Sequence, residues 1–328
     1  MPDIDRRQLL AGTAAVSALA AIPASSTWAH APAGLSGKAI LITGCSSGFG
    51  RLMAEKFARE GAKVFATMRN LPRVEAAELE NLATQDKLEL HVIEIDVTDE
   101  EQVTAGVAEA ERIAGGAIDV LVNNAGMSIA GPIEIQDMQA TQQIFDTNVF
   151  GPQRMMRAVL PAMRTAKSGQ IFNVTSQLGR VILPAFGQYS PTKFALEAMS
   201  EQIAYELVPH NIDVTIIQPG GYPTKIWQSG NKLTSALIDR ADEKHTAGYA
   251  PMIAQLRAGT GGGGTTDPMD VPNAIAEIIA MPAGTRPLRR PVHPGPKPQI
   301  PINQASAKAQ IDWLGASPYS PMINAVHS

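Results

Sequence analysis

The 328-residue chain has a single cysteine, Cys45, and only six histidines, which are scattered. An internal disulfide and a cysteine-based zinc site are excluded, and the histidines show no ligand spacing for a metal. Aromatic residues make up just 5%, so a core must rest on Ala, Val, Ile and Leu. Neither sign of charge dominates: 27 Lys and Arg stand against 31 Asp and Glu, a net charge of −4. Without a basic surplus, nucleic acid is not an expected partner. The apolar run Leu9 to Ile22 has 14 residues, too few for a stable membrane-spanning helix. There is no internal repeat. The remaining balance, 45% hydrophobic and 18% charged, is that of a globular protein.

What the apolar run does fit is the middle of a signal peptide. Arg6-Arg7 precede it, Pro23 ends it, and small residues follow up to Ala29-His30-Ala31. The paired arginines with Gln8-Leu9-Leu10 resemble a twin-arginine export signal. Residues 1–33 are therefore expected to be a targeting segment, with the mature start within 30–34. Export, to the periplasm, is the expected fate; a cytoplasmic protein with an Ala-rich extension is the alternative.

From Lys38 to about Ile279, short apolar runs alternate with helical patterns. Strands are expected at Ala39–Ile42, Val64–Thr67, Leu88–Ile95, Ile118–Val122, Gln170–Val174 and 213–218. Helices are expected at 50–60, after 70 through Glu80, at Val103–Ile113, over one long stretch 138–165, and at 190–207. Near-continuous apolar strands separated by helices mean a parallel sheet covered on both faces. This is an α/β chain with one doubly wound domain over 34–292. The segment after the sixth strand, about 221–270, breaks the rhythm with a mixed stretch and the glycines 261–264, and is expected to be a lid. Beyond Pro282 prolines accumulate, and 293–328 reads as an extended tail, helical at most over 305–314.

The first strand runs into Thr43-Gly44-Cys45-Ser46-Ser47-Gly48-Phe49-Gly50 and directly into a helix. Glycines are needed there for a tight turn, for close approach of backbone to a pyrophosphate, and for packing helix on strand. The phosphates then sit on the free N–H groups of the helix N-terminus. Downstream stand Asn123-Asn124-Ala125-Gly126 after the fourth strand, Asn148 in the long helix and Ser176 at the end of the fifth strand. Tyr189-Ser190-Pro191-Thr192-Lys193 and Pro219-Gly220 with Thr224 follow. With T-G-x-x-x-G-x-G, N-N-A-G, Y-x-x-x-K and P-G-x-x-x-T in this order, residues 36–292 resemble the short-chain dehydrogenase/reductase family. The stretch Gln177 through Tyr189 is most similar to its 17β-hydroxysteroid and retinol dehydrogenase branch.

The resemblance implies a Rossmann fold and a nicotinamide dinucleotide, and it implies roles for single residues. Gly44, Ser46, Ser47, Gly48 and Phe49 line the pyrophosphate and ribose, and Asp96 and Val97 flank the adenine. Asn123, Ala125 and Gly126 lie near the ribose and sheet floor, and Pro219, Gly220 and Thr224 hold the carboxamide end. The implied catalytic group is Asn148, Ser176, Tyr189 and Lys193, with no metal. Ser176 bonds the substrate oxygen, Tyr189 exchanges the hydroxyl proton, Lys193 lowers the tyrosine pKa and binds the nicotinamide ribose, and Asn148 holds a relay water. The family also implies a homodimer or homotetramer through the helices around 138–165 and 190–207.

Two of these roles have a physical reading of their own. An enzyme for NAD carries an acid after the second strand, but here Thr67-Met68-Arg69-Asn70 follow, and Arg69 can pair with a 2′-phosphate. NADP(H) is favoured, with NAD(H) the alternative. Tyr189 and Lys193, four apart, share a helix face, and Pro191 places the helix start near Ser190. Lowering a tyrosine from ~10 to ~7 takes about 4 kcal/mol, which one positive charge at ~4 Å supplies at an effective dielectric of ~20; Lys193, helped by the charge of an oxidised nicotinamide, is the available source.

Apolar pocket walls are expected from Met127, Ile129, Leu178, Leu183, Phe186 and Tyr222, hence a small hydrophobic alcohol or carbonyl substrate. His210, His245 and His293 are expected on the surface, and Cys45 as a space-filler. The rival readings are a nicotinamide-binding sensor or scaffold without turnover, whose sign would be a damaged tetrad, and a sugar-nucleotide epimerase, whose glycine spacing and larger C-terminal domain are not found.

Overall fold

The computed structural model describes residues 34–262 and 264–327; the expected targeting segment lies outside them. The chain alternates β1 (Ala39–Ile42), α1 (Gly48–Arg59), β2 (Lys63–Met68), α2 (Val74–Asp86), β3 (Leu90–Glu94), α3 (Glu100–Ala114) and β4 (Val120–Asn123). Then come α4 (Met138–Phe145), α5 (Gly151–Ala166), β5 (Gly169–Val174), α6 (Tyr189–Leu207) and β6 (Ile212–Pro219). The seven strands lie parallel in the order β3-β2-β1-β4-β5-β6-β7, where β7 is Arg289–Val292. The order reverses between β1 and β4, and the crevice outside the strand ends at such a reversal is where ligands bind in these sheets.

Every residue of β1, β4 and β5 is buried, which is why those strands read as unbroken apolar runs. Alternation divides them between two cores. Ile40, Ile42, Val64 and Val122 pack with Met53 and Phe57 of α1 and with Ile275 and Ile278 of α10 (Asp270–Ile279). Leu41, Phe65, Leu121 and Ile171 pack on the other face with Val107 of α3 and Met155, Val159 and Met163 of α5. Each fully buried side chain of this size contributes about 1.5–3 kcal/mol. Helix ends are chemically marked: Asp99 accepts from the N–H groups of Glu101 and Gln102 to start α3, and Gly115 at φ 77 ends it.

Three departures from the sequence expectation matter. The long helix 138–165 is interrupted by a π-helical turn, Asp146–Phe150, which carries Asn148; wide turns of this kind recur at functional sites. The presumed lid is largely helical, with α7 (Lys225–Arg240), α8 (Glu243–Thr246) and α9 (Ala250–Ala258) before the glycines.

The segment beyond Pro282 is not an extended tail. It forms β7, α11 (Gln299–Leu314) and α12 (Ser320–His327). The prolines misled because each sits where proline is tolerated. Pro291 lies on the edge strand of the sheet, and Pro298 and Pro301 lie at the mouth of α11, where no intrahelical N–H is required.

Candidate active site

The glycine turn is held by side chains that reach across the β1–β4 reversal. Thr43 Oγ1 accepts from the N–H groups of Asn124 (3.0 Å) and Ala125 (2.9 Å), and Asn124 Nδ2 donates to Thr43 O at 2.8 Å. Gly44 has φ +74, and an added Cβ would lie 2.9 Å from Ala125 Cα. At Gly50 a Cβ would fall 2.3 Å from the Gly44 carbonyl oxygen. No side chain caps α1 at Ser47, and its first turn holds no acidic residue. The N-terminal N–H groups and the helix dipole are thus left for an anion. Cys45, inside the turn, is buried, donates to Ile42 O at 3.2 Å, and is pushed up to about 12 by burial, which makes it an inert filler.

Along the crevice, Arg69 follows β2 and is 62% exposed, with Nη1 3.6 Å from Asp96 Oδ2. Asp96 is partly desolvated, yet it accepts from Thr98 N and Oγ1 and faces Arg69, so its carboxyl stays below the usual range. Val97 is buried beneath α5, where a Cβ on Gly151 would lie 2.8 Å from it. Asn123 is buried in the sheet and donates to Asn173 Oδ1 at 2.8 Å, so its side chain serves the floor. Gly220 donates to Val292 O, and Thr224 packs 3.4 Å from where a Gly48 Cβ would be.

The tetrad residues come together at the ends of β4 and β5. Tyr189 opens α6, and its hydroxyl faces Ser176. Ser176 Oγ accepts from Leu178 N at 3.0 Å. Lys193 is 5% exposed; its Nζ stands 5.7 Å from the Tyr189 ring centroid and donates to Val174 O at 3.1 Å. Gly126 leaves room in front of it: a Cβ there would lie 3.7 Å from Lys193 Nζ and 3.4 Å from Asn148 Oδ1. Asn148 is committed to protein groups, accepting from Met127 N and donating to Met127 O (both 2.9 Å) and to Thr192 Oγ1 (3.1 Å). It therefore braces the turn after β4 against α6.

Burial sets the protonation states. Desolvation pushes Tyr189 up to about 12 against the Ser176 hydrogen bond, and pulls Lys193 down to about 8 against the Glu197 charge. In the protein alone, loss of hydration at Tyr189 outweighs the Ser176 hydrogen bond, and the expectation of a tyrosine near 7 counts also on the charge of an oxidised nicotinamide.

Residues expected to wall a pocket divide. Phe186 meets Tyr189 edge-on at 6.4 Å and Trp227 at 6.4 Å on its other side. Met127 packs against Ile129, Ile144 and Leu237 beside Tyr189. Ile129 itself is buried behind this layer, Leu178 is half-buried after Ser176, and Leu183 is 46% exposed. Tyr222 is placed elsewhere. It is 2% exposed and packs edge-on against Phe49 (5.4 Å) and His293 (5.5 Å), with its hydroxyl donating to Asp270. His293 is thus part of that cluster rather than a plain surface residue.

Sequence reasoning missed Thr43, Thr192, Trp227 and the buried Glu197. Trp227, one of three tryptophans, was the one with a visible signal, since it stands three residues after Thr224.

Residues 38–234 match the family model described as short chain dehydrogenase. The chain belongs to the short-chain dehydrogenase family. Among curated relatives, this short-chain dehydrogenase is 35% identical over 263 residues to the uncharacterized oxidoreductase YusZ of Bacillus subtilis, covering 79% of this chain and 90% of that protein. It is 35% identical over 269 residues to human retinol dehydrogenase 8, covering 77% and 80%. A solved short-chain dehydrogenase from Streptomyces avermitilis superposes with a TM-score of 0.65 at 31% identity, over 85% of this chain and 96% of that one. Family membership makes the chain an oxidoreductase with a Rossmann-like domain. No helix among the described residues is long and apolar enough to cross a membrane.

Proposed function

We propose that this short-chain dehydrogenase interconverts a hydrophobic secondary alcohol and its ketone, or an alcohol and aldehyde, using a nicotinamide dinucleotide. The carrying observation is the Ser176–Tyr189–Lys193 group, buried behind Gly126 and beside an uncapped helix N-terminus. The residues fit the dinucleotide: the turn is closed to any Cβ at Gly44 and Gly50, and its N–H groups suit a pyrophosphate. When bound, the nicotinamide supplies or takes up hydride at the carbinol carbon.

The chain's own groups do the rest. Ser176 donates to the substrate oxygen. Tyr189, protonated across the neutral range, gives that oxygen its proton in reduction and is left as tyrosinate; in oxidation the tyrosinate form takes the hydroxyl proton. Lys193 has N–H groups beyond the one on Val174 O to offer a ribose hydroxyl, and its charge favours the tyrosinate left after proton donation. Asn148 keeps Met127 and Thr192 at fixed distance, and so holds the two sides of the site in register.

The Phe186–Trp227 pair and Met127 supply an apolar wall, which suits a retinoid- or steroid-like carbonyl better than a sugar. This agrees with the similarity to retinol dehydrogenase 8. NADP(H) is the preferred dinucleotide because Arg69, and no acid, follows β2. Export through the Arg6-Arg7 signal and pairing of copies through the helices bearing exposed Phe150 and Phe194 complete the reading.

The test is reduction of retinal and a steroid ketone with NADPH and NADH, followed by loss of reduced-dinucleotide absorbance. Turnover with wild type and its loss in Tyr189→Phe is expected. Turnover undiminished in Tyr189→Phe overturns the mechanism. No turnover together with tight dinucleotide binding would favour the sensor alternative.

A further inference from the structure

One turn along α6 from Lys193 lies Glu197, a carboxylate 1% exposed and outside the tetrad. Its Oε1 accepts from Thr175 Oγ1 and from Gln218 Nε2, both at 2.8 Å, and its Oε2 accepts from Arg289 Nε at 2.9 Å. These donors come from three neighbouring strands or their ends. Thr175 follows β5 and directly precedes Ser176, Gln218 is the last residue but one of β6, and Arg289 opens β7. Gly179, in the turn after Ser176, packs so tightly on α6 that a Cβ would lie 3.0 Å from Glu197 Cγ and 3.1 Å from Lys193 O. Arg289 also donates to Glu201, which in turn meets Tyr205 and His327 of α12.

We propose that Glu197 is a positioning residue of the active site: clamped by Arg289, it fixes Ser176 through Thr175 and supplies the negative charge that keeps buried Lys193 protonated. The proposal rests on the alcohol–carbonyl reading above.

Three features carry it. A buried carboxylate is costly unless saturated with donors, and this one is. Residues four apart on a helix share a face, so its charge acts on Lys193 at short range. Lys193 has the Tyr189 ring beside it and Glu197 as the charge acting on it, while Glu197 is itself faced by Arg289 from β7 and by Arg180 from the turn after β5, with Glu201 one turn farther along α6. Burial alone favours the neutral amine, and Glu197 opposes it. Thr175 has one hydroxyl proton for Glu197 Oε1 and Ile217 O, so its rotamer is set by these two acceptors.

The experiment follows the Lys193 titration itself, with no dinucleotide or substrate present. It uses 13C NMR of the full chain labelled at the lysine Cε, the signal being assigned by its absence in Lys193→Arg. In Glu197→Gln the midpoint is expected to fall by about one unit or more. In Arg289→Met, which strips the counter-charge from Glu197, it is expected to rise. Midpoints unchanged in both variants overturn the electrostatic role. If Glu197→Gln does not fold, Arg289→Met decides alone, an unchanged midpoint being fatal.

The positioning role is read from Thr175→Val. It is expected to lower kcat about tenfold, with KM and the Lys193 midpoint unchanged; wild-type kcat would overturn it. Should wild type reduce no carbonyl, the functional reading falls, while the NMR titration still judges the Glu197 charge.

Discussion

Helix α6 buries charge twice within one turn, in opposite ways. The Glu197 carboxylate is met by Thr175, Gln218 and Arg289, and Arg289 in turn by Glu201. Lys193, 5% exposed, has the Val174 carbonyl and keeps further donors pointing at the space that Gly126 leaves open. A saturated buried ion serves the architecture, because any change leaves a partner stranded. An unsaturated one is costly in the protein alone and returns that cost when a ligand completes its bonds. The same contrast separates the two arginines at the sheet margins, Arg289 nearly enclosed and Arg69 largely in water.

The largest effect should come from the group proposed to meet substrate. Tyr189→Phe removes the proposed proton donor while retaining the ring that packs on Phe186, so kcat should fall by about 10²–10⁴-fold. Dinucleotide affinity, measured by fluorescence titration, should stay within a factor of about three (~0.6 kcal/mol), since the ring and its packing on Phe186 are kept. Gly50→Ala should come next. Its Cβ would meet the Gly44 carbonyl at 2.3 Å, so the turn must shift, weakening dinucleotide binding by about 10²-fold. Overpacking should also cost about 1–3 kcal/mol in denaturant unfolding.

The cost of the unsaturated lysine is visible in pH. Burial lowers Lys193 from 10.5 to about 8. Between those values the unfolded chain still holds a proton that the folded protein has released, so this group makes stability rise with pH across the window. Below pH 8 its charge is present in both states and the burial penalty, about 3 kcal/mol, is fully felt. Lys193→Met should therefore be more stable than wild type at pH 7, with the advantage shrinking towards pH 10. Parallel Tm-against-pH curves for the two proteins would show that Lys193 is not strained.

How much of this was readable from the chain follows the same division. The glycine turn, the tetrad and six strands are local: apolar runs, fixed spacings, and Pro191 confined to a first helical turn. What escaped was tertiary. Thr175 and Glu197 are ordinary residues until the sheet brings Gln218 and Arg289 to them. β7 hid behind Pro291 because an edge strand tolerates a missing N–H, and α11 behind prolines lodged in its first turn. Tyr222 stood at the position expected of a pocket wall, yet its hydroxyl finds Asp270 and its ring finds Phe49 and His293. The π-helical turn that presents Asn148 has no signal in the periodicity, which runs on through 138–165.

The smallest effect should lie at the open arginine. Arg69 is 62% exposed and 3.6 Å from Asp96, a loose pair in high dielectric that contributes little to the fold. A 2′-phosphate would be a better partner, with more charge and a pair of oxygens for the planar guanidinium fork. Arg69→Ala should leave the denaturation midpoint unchanged and lower the ratio of NADPH to NADH affinity about tenfold, the size of one charge-assisted hydrogen bond. Because the pair is exposed, that ratio should also shrink with rising salt in wild type and not in the variant. Asp96→Asn should move it the other way by freeing Arg69, whereas Arg289→Lys should unfold the protein more readily without touching the ratio. A ratio indifferent to Arg69 would overturn its part in the choice, since the N–H groups of the glycine turn would meet a pyrophosphate common to both dinucleotides.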